Sequence, residues 1–120
     1  MPGKLVHFEL PAQDTQRART FWSGVFGWSF NDPGMAGVEY WMTQTGAEQG
    51  GAVYPQQADE RGPIVYFDTD DIDGAIAKVR ELGGQGEESQ PIPGVGRFAH
   101  CTDPAGNEFS LFESDESVGA

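Results

Sequence analysis

The feature that most constrains the fold is an internal repeat, in which the same order of strand-forming and helix-forming segments occurs twice. Two segments each open with a short β-prone strand, continue into an amphipathic helix that starts after an aspartate, and end in further short strands. A gapless alignment at a constant offset matches the helix starts and the apolar helix faces; the matched pairs are Asp14 with Asp71, Ala18 with Ala75, Trp22 with Val79 and Val25 with Leu82. Such self-similarity indicates two copies of one supersecondary unit.

In the first copy, a strand over Lys4 to Leu10 precedes Asp14, a residue type favoured at helix N-caps. Apolar residues then recur at i, i+3, i+4 and i+7, which predicts one buried helix face formed by Ala18, Phe21, Trp22 and Val25. Gly27 ends the predicted helix. Three short strands are predicted to follow, over Trp28–Phe30, Val38–Met42 and Gly51–Tyr54.

The second copy follows a polar linker over residues 56–62. A strand over Pro63 to Thr69 and an N-cap at Asp71 precede a helix whose predicted apolar face is Ile72, Ala75, Ile76, Val79 and Leu82. Strands are predicted near 85–91, 95–102 and 107–113, with a tight turn at Asp103–Gly106. We therefore predict a single domain over 1–120, with modules at about 4–55 and 63–113 and a tail at 114–120.

The predicted fold class is α+β, with two β-α-β-β-β modules that form a curved mixed sheet around a cleft. Each module has one sheet face under its helix and one face free. Two such sheets can bury their free faces by curling around a shared cleft. The predicted fold thus includes a pocket.

The composition of the chain excludes some classes of binding partner. The chain has 19 acidic and 7 basic residues, a formal net charge of -12. Such a surface repels nucleic acid and anionic lipid, so neither is an expected partner. No run approaches the roughly 18 apolar residues of a membrane span, and Met1 to Phe8 lacks the pattern of a signal peptide. With a single cysteine, Cys101, these features predict a cytoplasmic protein.

Three stretches also resemble the glyoxalase / bleomycin-resistance / dioxygenase superfamily, whose members have the vicinal-oxygen-chelate fold. They are Val6–Ala12 with the helix motif Phe21–Trp28, then Val65–Asp68 with Asp71–Asp73 and Leu82–Gly84, and the closing Asp103–Phe109. The resemblance runs from about residue 5 to 113. It implies the paired-module fold and a small-molecule site, and it favours a homodimer.

The resemblance also implies where a metal would bind. Metal-using members hold a divalent ion with four side chains, one each on the first and last strands of both modules, and the ion offers open positions to vicinal oxygens. His7 matches the first position, whereas Ile64 and Ser110 replace expected ligands and the fourth position falls near Ala52 or Val53. Since such sites generally need about three protein ligands, no metal or other cofactor is predicted. Glu113 or His100 would be needed to complete one.

His7 is the candidate catalytic residue because imidazole titrates near working pH. A histidine that only lines the sheet is the alternative for His7 and for His100. Cys101 has no basic neighbour and is predicted to be a small core residue. Tyrosine and tryptophan on strands supply flat apolar surface with a polar handle, which suits a planar ligand. The predicted ligand-binding set is His7, Tyr40, Trp41, Tyr54, Tyr66, Phe98, His100 and Ser110.

Three functions are compatible with these residues. The preferred hypothesis is a metal-free binding protein that takes a small apolar or aromatic molecule, for sequestration, resistance or carriage. A second is a glyoxalase-like lyase, isomerase or dioxygenase that uses a divalent metal at His7. The third is metal-free acid/base catalysis through His7.

Overall fold

The computed structural model describes residues 3–34 and 37–119. Within these ranges the chain forms eight strands and two helices, which confirms the α+β class. The elements are β1 (Leu5–Ala12), α1 (Thr15–Phe26), β2 (Trp41–Gln44), β3 (Gly50–Pro55), β4 (Ile64–Asp68), α2 (Ile72–Glu81), β5 (Gln85–Gly86), β6 (Gln90–Ile92), β7 (Gly96–Thr102) and β8 (Glu108–Ser114). Neither helix in the described part is long and apolar enough to cross a membrane. The ends of the predicted domain, Met1, Pro2 and Ala120, lie outside the described residues.

The chain divides into two compact units, which we call the first unit and the second unit. The first unit is His7–Ile64, and the second unit is Met1–Val6 together with Val65–Ala120. These bounds lie close to those of the predicted modules, except that the first residues of β1 belong to the second unit. The prediction of one domain over 1–120 stays a prediction.

The first unit contains a three-stranded mixed sheet in the order β2-β3-β1. β3 is parallel to β1, with His7 opposite Gly50 and Glu9 opposite Ala52, and antiparallel to β2. A parallel pair requires a crossover connection, and α1 lies in the segment between β1 and β3. The module pattern of a first strand, a helix and a returning last strand is therefore present.

Both ends of α1 agree with the sequence prediction. The Asp14 carboxylate accepts a hydrogen bond from the backbone N–H of Arg17 (3.0 Å), so the helix begins with a satisfied N-cap. At the other end Gly27 has a φ of 73° and its N–H donates to the carbonyl of Ser23. This left-handed conformation ends the helix at little cost because glycine has no Cβ.

The prediction of a strand at Trp28–Phe30 is wrong. The Trp28 ring stacks on Trp22 and Phe26, with centroids 5.3 Å and 5.2 Å away. Its carbonyl accepts a hydrogen bond from the Ser23 hydroxyl (2.7 Å) instead of joining a ladder. The only pairing described near this segment is an isolated bridge from Asn31 to Met42. The predicted strand over Val38–Met42 is shifted along the chain and is observed as β2.

The predicted buried face of α1 also needs correction. No residue described in α1 is fully buried, and Phe21, Val25 and Phe26 are 59%, 55% and 59% exposed. Trp22 is half-buried in the stack with Trp28. Leu82, the repeat counterpart of Val25, is 69% exposed. It lies at the C-cap, beyond the last turn of α2, and so is off the buried helix face.

In the second unit, β4 is parallel to β8, β8 is antiparallel to β7, and the short β5 and β6 both pair with β7. One face of this sheet packs against α2. The buried cluster there consists of Ile72, Ile76, Ala99, Cys101 and Leu111. Cys101 is thus a core residue as predicted, and burial raises the pKa of its thiol. The predicted aspartate cap of α2 is confirmed, since Asp71 accepts from the N–H of Gly74 (3.1 Å).

The last hairpin agrees with the sequence as well. Asp103 accepts hydrogen bonds from the N–H groups of Ala105 and Asn107, both at 2.9 Å, which holds the tight turn between β7 and β8. Glu113 lies on the opposite face of β8 from Ser110, as strand alternation predicts. Its carboxylate accepts from the N–H of Ile72 (2.9 Å) at the start of α2. Glu113 is therefore engaged in holding a helix terminus.

Candidate functional site

The helix α1 packs on one of the two faces of the first-unit sheet. On one face, Arg19 of α1 lies 3.8 Å from the centre of the Trp41 ring. The Phe8 ring belongs to the same face and lies so close over Gly51 that no Cβ could be accommodated there. Because side chains alternate along a strand, His7 and Glu9 project from the opposite face, which we call the His7 face.

Four side chains of the His7 face and one from the following loop form a hydrogen-bonded group. We call it the tyrosine cluster; its members are His7, Glu9, Tyr40, Tyr54 and Glu60. The Tyr40 hydroxyl lies 2.7 Å from the Nε2 of His7 and donates to the Glu9 carboxylate at 2.7 Å. The Tyr54 hydroxyl donates to Glu60 at 2.6 Å. The two tyrosine rings have centroids 6.0 Å apart.

The direction of these bonds fixes the tautomer of His7. Tyr40 has one hydroxyl proton, and that proton goes to the Glu9 carboxylate. The Tyr40 oxygen can therefore only accept from His7, so the Nε2 carries the proton. In neutral His7 the unprotonated ring nitrogen is then Nδ1.

Burial lowers the pKa of His7, and the negative charge of Glu9 offsets part of this effect. A half-buried imidazole is harder to charge because the cation loses hydration. His7 is consequently neutral at neutral pH and can accept a proton at Nδ1. This is the protonation state that a general base requires.

The pKa of His7 predicts how stability depends on pH. Unfolded His7 takes up a proton near its ordinary pKa of 6.5, whereas the folded chain takes it up only at lower pH. Acidification through this window therefore favours the unfolded state, and the free energy of unfolding should fall as pH drops below about 7. Urea unfolding between neutral and mildly acidic pH would measure this. His7→Gln should flatten that part of the profile, and an unchanged slope would contradict the assignment.

Tyr54 is held as a hydrogen-bond donor. Burial, the hydrogen bond to Glu60 and the negative charges of Glu9 and Glu60 all raise its pKa far above the ordinary value of a phenol. A phenolate does not form here at any physiological pH. The hydroxyl end of the ring is therefore held by its bond to Glu60, and Tyr54 as a whole is half-buried.

The second unit has its own set of predicted site residues on one sheet face. The Nδ1 of His100 lies 2.8 Å from the hydroxyl of Ser110, which is fully buried. Phe98 meets the His100 ring edge-on, with centroids 5.3 Å apart. Tyr66 pairs with Ser110 across β4 and β8. These four residues share the face opposite the buried cluster of α2.

The structure thus groups the predicted residues within each unit. His7, Tyr40 and Tyr54 come together in the first unit, and Tyr66, Phe98, His100 and Ser110 share a face in the second. Trp41 is separated from the first group because it faces α1. Glu9 and Glu60 are not among the site residues predicted from the sequence. Two-residue alternation from His7 could have indicated Glu9, but the polar linker that contains Glu60 carries no such signal.

The strand registers locate the four positions that metal-using relatives employ. Glu9 pairs with Ala52 in the first unit, and its repeat counterpart Tyr66 pairs with Ser110 in the second. Ala52 is therefore the counterpart of Ser110. An alanine methyl group offers no electron pair to a metal.

The remaining positions do not supply enough donors for a divalent ion either. Ile64 is a buried hydrocarbon side chain and the Ser110 hydroxyl is bonded to His100, so His7 is the one imidazole or carboxylate at the four positions. Divalent ions of this class bind imidazole and carboxylate groups. Across residues 3–34 and 37–119, no three His, Cys, Asp or Glu side chains are placed to share a metal ion.

Comparison with known proteins agrees with this architecture. The family model described as a glyoxalase-like domain matches residues 6–112. CFP32 of Mycobacterium tuberculosis is 32% identical over 93% of this chain and 46% of its own length. The anthracycline biosynthesis protein DnrV of Streptomyces peucetius is 30% identical over 99% of this chain and 50% of its own length. The chain thus spans about half the length of these curated relatives.

Solved structures support the same fold. The crystal structure of methylmalonyl-CoA epimerase from Mycobacterium tuberculosis matches with a TM-score of 0.70 and 16% identity, over 94% of this chain and 88% of the epimerase. At that identity the match speaks for the fold alone. With the family model covering most of its length, this chain belongs to the glyoxalase-like domain family.

Proposed function

We propose that this chain is a small-molecule-binding protein that holds a largely apolar or aromatic, planar ligand against the tyrosine cluster without a metal ion. The observation that supports this most is the pairing of the Tyr40 and Tyr54 rings 6.0 Å apart, with both hydroxyls donating to carboxylates. Tyr66, Phe98, His100 and Ser110 are proposed as further ligand contacts, on the strength of the sequence prediction.

The tyrosine cluster suits a flat ligand for an energetic reason. Ligand binding costs free energy when mobile side chains must be ordered. Here the hydroxyl of Tyr40 bonds to Glu9 and that of Tyr54 bonds to Glu60, so each ring is already oriented. A planar molecule can then gain stacking and apolar contact with little further ordering.

The charge of the tyrosine cluster selects among planar ligands. Glu9 and Glu60 are acidic, His7 is neutral near neutral pH, and the whole chain carries a formal charge of -12. An anion brought to these side chains would be repelled. Neutral and cationic aromatic molecules are therefore the proposed ligand class.

One relative supports the ligand class from outside. The name of DnrV places that protein in anthracycline biosynthesis, and anthracyclines have a planar fused-ring system. The match covers half of DnrV, so its role comes to this chain only as a proposal. Sequestration, self-resistance and carriage of such a molecule are all forms of binding without turnover.

A fluorescence titration tests the proposal. Daunomycinone, the uncharged ring system of an anthracycline, would be added to protein treated with EDTA, and tryptophan quenching would be followed. We expect saturable binding of one molecule per chain, because the rings rather than an ion supply the contact. Anthraquinone sulfonate, a planar anion, is the matched control and should bind at least about tenfold more weakly.

Two outcomes would contradict the proposal. One is an absence of saturation for both daunomycinone and its amine-bearing glycoside daunorubicin. The other is binding that appears only after a divalent metal is added back. A titration in which the anion binds as tightly as the neutral molecule would refute the charge argument alone.

A second candidate function is metal-free acid/base catalysis, and the state of His7 favours it. His7 is neutral at neutral pH with its Nδ1 unprotonated. In this reaction Nδ1 would remove a proton from carbon next to a carbonyl group, leave the electron pair as an enolate, and return the proton afterwards. The chain Nε2–H to Tyr40 to Glu9 would stabilise the imidazolium in between.

Deuterium exchange distinguishes catalysis from binding. The acetyl protons of bound daunomycinone would be followed by NMR in deuterated water. Catalysis predicts exchange faster than in buffer, abolished by His7→Gln while affinity is kept. Equal exchange in wild type and His7→Gln would leave binding as the function.

The cellular location and the oligomeric state are proposed from the sequence. We propose that the protein acts in the cytoplasm as a homodimer, without nucleic acid or membrane partners. The single buried Cys101 and the excess of acidic residues support this.

A further inference from the structure

We propose that the exposed face of α1 is the surface through which two copies of this chain pair, with the two helices antiparallel. The proposal is independent of the ligand and rests only on the homodimer proposed above. The α1 face is defined by Arg17, Thr20, Phe21, Gly24 and Val25, all of which are exposed.

The apolar content of this face is unusual for a helix exposed to water. Phe21 and Val25 are 59% and 55% exposed, and the adjoining Phe26 is 59% exposed. They follow one another along the C-terminal half of a helix that has no fully buried residue among those described. Contiguous apolar surface of this kind marks a contact site.

Apart from the Asp14 carboxylate at its N-cap, α1 lacks the charges that would complement its own dipole. A helix is stabilised by acidic residues in its first turn and basic residues in its last turn. α2 follows this rule, with Asp73 in its first turn and Lys78 and Arg80 in its last. α1 has neither: no acidic residue lies in its first turn and no basic residue in its last, while Arg17 lies near its start.

A second copy would supply the basic group that the C-terminal end of α1 lacks. Arg17, Phe21 and Val25 are spaced four residues apart and therefore form one row along the helix. If two such rows cross antiparallel at Phe21, each Arg17 lies beside the partner helix's C-terminal carbonyl groups, which carry partial negative charge. The contact is isologous, so the same gain occurs twice. α1 also holds two of the seven basic residues and none of the 19 acidic ones, which limits repulsion between two acidic chains.

Gly24 provides a further indication. It is exposed in the helix, and a Cβ at this position would meet no atom within 4 Å. Glycine disfavours a helix relative to alanine, so the packing of the single chain gives no reason for it. Close approach of a partner helix does give one, since it requires a residue without a side chain.

Analytical ultracentrifugation of the wild-type chain is the first measurement. We expect reversible association from the 13.0 kDa monomer to a particle of twice that mass. Phe21→Glu and Val25→Glu should each abolish the dimer over the same concentration range. Leu82→Glu is the matched control, because Leu82 is an exposed apolar residue at the counterpart position of the repeat, and it should leave the dimer intact.

Arg17→Glu distinguishes a loss of dimer contact from a loss of folding, because its expected effects on dimer affinity and on monomer stability differ in sign. A glutamate in the first turn should raise or preserve the melting temperature of the monomer, because it suits the helix dipole. The same change should weaken the dimer at least about tenfold, since two favourable contacts become unfavourable. Arg61→Glu, at an exposed position, changes net charge equally and should have little effect on association.

The outcomes distinguish the surface from the dimer itself. A wild-type chain that stays monomeric at all concentrations overturns both the homodimer and the surface. A dimer that survives Phe21→Glu, Val25→Glu and Arg17→Glu overturns the surface while the homodimer stands. Circular dichroism of each variant confirms that a lost dimer does not reflect a lost fold.

Discussion

Gly96→Ala is expected to destabilise the chain by about 3 kcal/mol, the largest effect of any small substitution considered. Gly96 is buried at the start of β7, where a Cβ would lie 2.0 Å from the carbonyl oxygen of Glu113 in β8. The Cβ would be fixed to the backbone of β7 and the carbonyl belongs to the backbone of β8, so neither strand can move aside without breaking the ladder between Gly96 and Ser114. Chemical denaturation with urea would measure the loss.

The matched control is the same substitution where there is room. Gly46 lies in an exposed loop, and a Cβ there makes only ordinary contacts with Gln49 at 3.7 Å and beyond. Gly46→Ala should change the free energy of unfolding by less than about 0.5 kcal/mol. If the two variants proved equally stable, the close approach of β7 and β8 would be contradicted.

Tyr54→Ala is expected to weaken daunomycinone binding about 30-fold, which corresponds to about 2 kcal/mol. The substitution removes one of the two rings against which the planar ligand is proposed to lie. It also leaves the Glu60 carboxylate without its phenol donor. The fluorescence titration measures the dissociation constant directly, and a separate unfolding curve shows whether the variant is folded.

Two further variants identify what the ring contributes. Tyr54→Phe keeps the ring and loses only the hydroxyl, so its affinity should stay within about fivefold of wild type. Trp41→Phe alters a ring on the face toward α1 and should leave the affinity unchanged. Should Trp41→Phe weaken binding more than Tyr54→Ala, the ligand would lie on the other face of the sheet.

Elements governed by local chemistry could be predicted from the sequence. The N-caps Asp14 and Asp71 accept hydrogen bonds from backbone groups three residues away, so a short stretch of sequence is enough to predict them. The same holds for Gly27 and for the Asp103 turn. Because side chains alternate along a strand, the sequence also predicts that Glu113 and Ser110 lie on opposite faces of β8.

Features that depend on tertiary contacts were not predictable in this way. Trp28–Phe30 has the composition of a strand, yet stacking of Trp28 on α1 and the bond from Ser23 to its carbonyl keep it out of a ladder. The apolar spacing of α1 predicted burial for Phe21 and Val25, but periodicity cannot say whether the covering surface belongs to the same chain. Glu60 reaches Tyr54 from a linker that has no regular period.

Part of the candidate site was predictable from the sequence and part depends on tertiary contacts. The number of metal-binding side chains at the family's four metal positions could be predicted from the alignment of the two modules. The strand registers then identify Ala52 and Ser110 as the two last-strand positions. The bonds from Tyr40 to His7 and Glu9 could not be counted, because Tyr40 precedes β2 in an irregular segment. The protonation state of His7 follows only once those bonds are known.

A crystal structure of the protein grown with daunomycinone tests the central claim most directly. We expect the planar ring system to lie against the Tyr40 and Tyr54 rings, with His7 and Glu9 still joined through the Tyr40 hydroxyl and no ion between ligand and protein. A cation held by three or more side chains, with the ligand bound to it, would contradict metal-free binding.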